Sequence, residues 1–147
     1  FQKCSEFPEP SFQKAVDLKK LAHRRIIICE DHPLNAEITG RLLKKIGVIP
    51  EYARNGQIAV DLFKSRPAHT FDLILMDIRM PVMDGIAATH IIRNLNRPDA
   101  KTVPIIAMTA NAFKEDTQKT RDAGMNAHLS KPIESDILYR TLAHFLN

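Results

Sequence analysis

Five short apolar runs alternate along the chain with stretches in which apolar residues recur every three or four positions. Arg25–Cys29, Val48–Arg54, Phe71–Leu75, Val103–Met108 and Ala127–Ser130 have the length and continuity of buried strands. Between the first two, Leu34, Ile38, Leu42 and Ile46 repeat at four-residue steps up to Gly47, which predicts an amphipathic helix with that row as its apolar side. Ala59, Leu62 and Phe63 line a second helix closed by Pro67, after an Asn55-Gly56 turn. A third helix is expected from Asp84, as N-cap, to Leu95, and a fourth from Ala112 to Ala123, stopped by Gly124. Ile137, Leu138, Leu142 and Phe145 give the last helix its apolar side. The fourth helix is polar along most of its length and offers little to a core, so it is the element expected to shift most easily.

Strand and helix thus alternate five times with short connections, which forces a parallel sheet covered on both faces. The pattern predicts a flavodoxin-like, doubly wound (βα)5 fold with a five-stranded sheet in the order 2-1-3-4-5. The first and third strands are then neighbours at the switch point, where open sheets of this kind place their ligands. Residues 1–23, with Pro8 and Pro10, read as a linker or tail, carrying a short helix over Phe12–Ala22; the domain proper is expected over 24–147. A chain that opens on Phe1 reads as a fragment of a longer parent, with Asn147 at the natural end of the last helix.

Composition narrows the function classes. Hydrophobic residues make up 44% of the 147 positions and charged residues 26%, as in ordinary globular domains. The net charge is +4, but Lys and Arg are scattered instead of gathered on one stretch, which argues against a nucleic-acid surface. Two cysteines, Cys4 in the polar tail and Cys29 in an apolar run, make no disulfide framework and point to free thiols in a reducing, cytoplasmic setting. No run is long enough to span a membrane. The histidines form no H-E-x-x-H pair, and the five glycines lie too far apart for an ATP-binding loop.

The chemistry collects where the strands end: Glu30 and Asp31 after the first, Asp77 after the third, Thr109 after the fourth and Lys131 after the fifth. Each has an ordinary alternative. Asp31 or Thr109 could cap the helix that follows, and a lone lysine is usually a solvated charge. Together on one sheet edge they are hard to explain that way. Three adjacent carboxylates raise each other's pKa unless a cation neutralises them, and an all-oxygen set suits Mg²⁺ or Mn²⁺. A lysine ammonium and a threonine hydroxyl suit a phosphoryl group.

With the Glu30-Asp31 pair, Met76-Asp77-Ile78-Arg79-Met80-Pro81, Met83-Asp84-Gly85, Thr109-Ala110, Asp122-Ala123-Gly124 and Lys131-Pro132, the chain resembles the receiver domains of two-component response regulators from about Arg24 to Asn147. The resemblance implies that Asp77 accepts a phosphoryl group from a phosphohistidine on a histidine kinase or histidine-phosphotransfer domain. It implies Mg²⁺ held by Asp31, Asp77 and the backbone carbonyl of Arg79, with Glu30 acting directly or through water. Lys131 pairs with phosphoryl oxygens, and Thr109 reaches the attached group and couples to an aromatic residue on the last strand. That position is His128 here, a departure that puts the coupling in question. Arg79 and Asn111, two residues beyond Asp77 and Thr109, are expected to set the lifetime of the phosphoryl group. The MTANAF and LSKPI strings look more like receivers of hybrid sensor histidine kinases than those of transcription factors; the resemblance also allows a phosphorylation-dependent dimer, and gives the domain itself no nucleic-acid or membrane contact.

Two other enzyme or binding classes fit less well. Haloacid-dehalogenase-like phosphatases need a second acid two residues after the nucleophile, and Arg79 stands there. A flavodoxin needs a Ser/Thr/Gly-rich phosphate loop where this chain has Glu30-Asp31-His32. A receiver that works by protein contact alone is the remaining alternative.

Overall fold

A computed structural model describes residues 18–110 and 117–146. The tail to residue 17 with Cys4, Asn111, the start of the fourth helix at Ala112, and Asn147 lie outside the described residues. The elements are β1 (Arg25–Cys29), α1 (Pro33–Lys45), β2 (Ile49–Ala53), α2 (Gly56–Ser65), β3 (Leu73–Asp77), α3 (Gly85–Arg93), β4 (Ile105–Thr109), α4 (Thr117–Ala123), β5 (Ala127–Ser130) and α5 (Ser135–Leu146). All strand pairs are parallel, in the expected order β2-β1-β3-β4-β5.

The two-residue period of the strands divides the core. Ile27, Ile74, Met76 and Ala107 face Phe63 of α2 and Ala88 and Ile92 of α3. Ile26, Ile28, Leu73, Leu75 and Ile106 face Leu43 of α1 and Leu138 and Leu142 of α5. Each such aliphatic side chain contributes about 1.5–3 kcal/mol by leaving water, which makes β1 and β3, buried on both faces, the rigid centre of the molecule.

Three local expectations shift. The row Leu34-Ile38-Leu42-Ile46 is not the buried side of α1: Leu34 and Ile38 are 59% and 46% exposed, while Thr39, Gly40 and Leu43 are buried. Leu42 and Ile46 flank that buried sector. The rotation brings Gly40 over β2, where a Cβ would collide with the Tyr52 hydroxyl. β3 begins two residues later than its apolar run, at Leu73; just before it Asp72 exchanges two bonds with Arg25, its N–H donating to the Arg25 carbonyl at 2.8 Å and its Oδ2 accepting from the Arg25 N–H at 2.9 Å. Asn55 is a true N-cap, its Oδ1 accepting from Ile58 N at 2.9 Å, so α2 starts directly at Gly56.

Packing also reaches upstream of Arg24, into the stretch read as linker. A 3-10 turn at Leu18–Leu21 buries Leu21 completely in the α1/α5 layer, and Arg24 donates to the carbonyl of Leu146 at 2.9 Å and to Asp72 at 3.4 Å. Among the described residues no helix is long and apolar enough to cross a membrane.

Candidate active site

The parallel order brings the carboxyl ends of β1, β3, β4 and β5 side by side, and the expected residues arrive there together. Cys29 of β1 pairs in register with Met76 of β3, so Glu30 and Asp77, the residues that follow, leave adjacent strands at the same level. Glu30, Asp31 and Asp77 each offer a carboxylate oxygen within 4.8 Å of the other two. Glu30 and Asp77 are buried and Asp31 is exposed. Such a set of hard oxygen donors fits Mg²⁺ or Mn²⁺. Asp31 does not cap α1. His32 is the N-cap, without a side-chain bond, and Pro33 supplies the first helical residue.

Lys131 reaches across from the end of β5. Its Nζ donates to Asp77 Oδ2 at 2.8 Å and lies 2.6 Å from Glu30 Oε1. The other oxygen of each acid meets backbone: Arg79 N–H donates to Asp77 Oδ1 at 3.3 Å, and His32 N–H to Glu30 Oε2 at 3.2 Å. Burial pushes the Glu30 carboxyl above the usual carboxylate range, the Lys131 hydrogen bond pulls back against it, and Asp77 adds to the rise. For Lys131, burial alone favours the neutral amine. The hydrogen bonds it donates to Asp77 and Glu30 outweigh it and hold the ammonium above its ordinary pKa.

Thr109, buried, closes β4 one residue past the partner of Asp77, and its carbonyl accepts from Lys131 N at 2.8 Å. His128 does not stand at the carboxylates. Half-buried on β5 beside Ala107, its Nε2 makes a 2.8 Å hydrogen bond with Thr120 Oγ1 of α4. Arg79 is exposed at the mouth of the site.

The loop from Ile78 to Asp84 is held tightly under Asp77. Gly85 N donates to Ile78 O at 2.9 Å, and a Cβ on Gly85 would run into the carbonyl oxygen of Asp77. Asp84 caps α3, its Oδ1 accepting from Ala87 N at 2.8 Å. At the loop's apex Val82 is 83% exposed with φ 71°, a left-handed backbone that a β-branched residue rarely adopts. Beneath the site, Cys29 donates through Sγ to Asn55 O at 3.2 Å and touches Met80 Sδ at 3.3 Å. Burial, then the nearby carboxylates of Asp77, Glu30 and Asp31, push this thiol up and leave it protonated. The sequence placed Cys29 in the core but did not signal that it floors the site.

Comparison with known proteins agrees with this geometry. Residues 26–143 match the response regulator receiver domain family. Hybrid signal transduction histidine kinase B of Dictyostelium discoideum is 42% identical over 133 residues, covering 84% of this chain and 7% of that protein. Signal transduction histidine-protein kinase BarA of Escherichia coli (strain K12) is 40% identical over 129 residues, covering 88% of this chain and 13% of BarA. The chain therefore spans only 7–13% of the length of these relatives. Among solved structures, the receiver domain of sensor histidine kinase PA1611 from Pseudomonas aeruginosa PAO1, with a magnesium ion in its active-site cleft, is 36% identical with a TM-score of 0.76 over 85% of this chain and 98% of that one. The receiver domain of Saccharomyces cerevisiae Ssk1, crystallised with the histidine phosphotransfer protein Ypd1, is 29% identical with a TM-score of 0.74, covering 85% and 90% of the two chains. A (βα)5 sheet with three carboxylates, a threonine and a lysine at its carboxyl edge, matched along most of its length, makes this chain a member of the response regulator receiver domain family of two-component phosphorelay signalling.

Proposed function

We propose that Asp77 is the phosphoacceptor. The observation that carries this is its setting: a nearly fully buried carboxylate at the end of the central strand, bonded to an ammonium and ringed by two further acids. An Asp77 oxygen attacks the phosphorus of a phosphohistidine. The P–N bond breaks, the imidazole leaves with its electron pair and takes up a proton, and an acyl phosphate remains on Asp77. Asp31, Asp77 and the Arg79 carbonyl would hold Mg²⁺, with Glu30 direct or through water, and the bound ion would supply neutralisation of charge on the phosphoryl oxygens. Lys131 binds a phosphoryl oxygen as a compact cation, and the Thr109 hydroxyl donates to the attached group. The magnesium described in the PA1611 receiver supports the choice of metal.

The donor or onward acceptor is a histidine kinase or a histidine-phosphotransfer protein, a reading supported by the Ssk1–Ypd1 complex. The exposed apolar side chains around the mouth, Leu34 and Ile38 of α1 and Val82 of the β3–α3 loop, suit such a partner. The hybrid kinases among the relatives support a parent of that kind, working in the cytoplasm, with the receiver body from Arg24 onward and the preceding segment as its connection. Arg79 shields the phosphoryl group or orients water and so, with Asn111, sets its lifetime; an Arg79→Ala variant with an unchanged dephosphorylation rate would refute this. Thr109 and His128 form the switch pair.

The test is intact-protein mass after incubation with acetyl phosphate, with and without Mg²⁺, beside Asp77→Asn. A metal-dependent gain of one phosphoryl group, absent in the variant, is the expected result. A folded wild-type protein that gains nothing would point instead to a receiver acting by contact alone.

A further inference from the structure

We infer that residues 18–24 are a docked strap, a stiff joint between the receiver and the part of a parent protein that precedes it, and not a free tether. The inference rests on the reading of the preceding segment as the receiver's connection and deepens it. Docking of the strap does not depend on the chemistry at Asp77.

The strap lies ahead of the stretch that matches the family, residues 26–143. Its two apolar residues stand three apart, and in a 3-10 turn positions i and i+3 share one side. Leu21 is accordingly fully buried and Leu18 partly so, in the layer that holds Leu43 of α1 and Leu142 and Leu146 of α5. Lys19 and Lys20 stay exposed.

Hydrogen bonds fasten the strap to the ends of both helices. His23 N–H donates to the Gly47 carbonyl, just past α1, at 2.8 Å, and Arg24 Nη2 donates to Leu146 O, at the end of α5, at 2.9 Å. The receiver side is shaped to fit: Gly47 has φ 87°, and a Cβ there would come to 3.0 Å from the Ala22 methyl. His23, at φ 70°, turns the chain out of the strap toward β1.

Docking sets both the length and the origin of the connection. β1 begins at the amino edge of the sheet, whereas Asp77 closes β3 at the carboxyl edge. Holding residues 18–23 against the receiver withdraws about 20 Å of extended chain from the connection. The connection then starts behind the receiver, and the mouth on the far side is left open to a histidine-bearing partner.

Residual dipolar couplings on the full 147-residue chain test the stiffness directly. In the wild type, couplings from residues 18–24 are expected to fit the alignment tensor set by β1 and β3. In Leu21→Ser they are expected to collapse toward zero. Amide exchange at His23 and Arg24 should then speed up about 10- to 100-fold, the factor that matches the loss of one buried leucine, while Ile27 and Ile74 keep their wild-type rates. Leu18→Ser, at the partly buried end of the turn, should give the same pattern at smaller size.

Couplings near zero in the wild type would overturn the inference. So would acceleration that spreads equally to Ile27 and Ile74, or a Leu21→Ser protein that does not fold, because Leu21 would then be an ordinary core residue. Labelling of Leu21→Ser by acetyl phosphate is expected at the wild-type rate, and a tenfold slower rate would make the strap part of the acceptor's scaffold instead of a joint. If neither protein is labelled, the Asp77 reading fails, while the couplings still decide whether the strap is docked.

Discussion

The two ends of the sheet both bury a carboxylate against a cation, and they do so to opposite purposes. At the amino end of β4, Asp99 is 2% exposed. Arg97 grips it through Nε at 2.7 Å and Nη2 at 3.1 Å, and His69 N–H adds 2.8 Å. The guanidinium lies 4.4 Å over the Phe63 ring and donates to the Phe63 carbonyl at 2.9 Å. One acid meets one base and the bonds close on themselves. At the carboxyl end, three carboxylates gather and one lysine reaches two of them, Glu30 and Asp77. Similar ingredients give a staple where the charges match and a binding site where they do not, because only the second gains by admitting a cation.

The largest test of that contrast removes each base in turn. Arg97→Met leaves Asp99 buried without its partner and is expected to cost about 3–5 kcal/mol in chemical denaturation, with no recovery on adding Mg²⁺. Lys131→Met also strands acids, but a metal can take the place of the ammonium, so its loss is expected to shrink to less than about 1 kcal/mol in Mg²⁺. If magnesium stabilised both variants equally, the ends of the sheet would not differ as described.

Acid separates them as well. Burial alone would raise the Asp99 carboxyl, but the hydrogen bonds from Arg97 and His69 N win and hold it below the usual range. A depressed pKa contributes stability that is present above the unfolded value of 3.8 and is lost as pH falls through the folded one. The wild type should therefore lose stability steeply below pH 3.8, and Asp99→Asn, weaker at neutral pH, should lose less over that window. Parallel acid limbs for the two proteins would contradict the assignment.

A smaller effect is expected at Gly85, where the site's scaffold is tightest. Gly85→Ala presses a methyl group into the Asp77 carbonyl. Overpacking of this kind costs about 1–3 kcal/mol, and the shift of Asp77 should slow acetyl-phosphate labelling more than it lowers stability. A variant that labels at the wild-type rate would mean the loop relaxes without moving the acceptor.

The carboxyl end was legible in the sequence and the amino end was not, for a physical reason. Glu30, Asp31, Asp77, Thr109 and Lys131 each follow an apolar run, and the βαβ rule converts "after a strand" into "on the same edge". Arg97 and Asp99 stand in a stretch that reads only as a polar loop, and their partners, Phe63 and His69, are set by tertiary packing that no period encodes. Strand order followed from alternation alone. The buried side of α1 did not, because four-residue steps mark a ridge, and Tyr52 beneath Gly40 decides which flank of the ridge faces inward. His128 was expected on the last strand and stands on β5, but its partner sits on α4, whose polar sequence hides that Thr120 is buried.

That helix gives the smallest predicted effect and connects the two ends. Of the described side chains of α4, only Thr120 and Ala123 are buried, so the helix has little apolar area to hold it down. Part of its attachment to the sheet is polar, the Thr120–His128 bond at 2.8 Å. Thr120→Val keeps the shape and deletes the hydroxyl, and since His128 is only half-buried, water can replace the lost partner. A cost of about 1 kcal/mol is therefore expected, with faster amide exchange confined to residues 117–123 and no change at β4 or in Mg²⁺ affinity. Loosening that spread into β4 would instead join α4 to the rigid centre. An unchanged exchange rate would put its anchorage in Ala123 and in the Arg93 guanidinium, which holds the Gly124 carbonyl at 2.8 and 3.0 Å just past the helix end. Either result would show whether α4 belongs with the closed staple at one end or with the open site at the other.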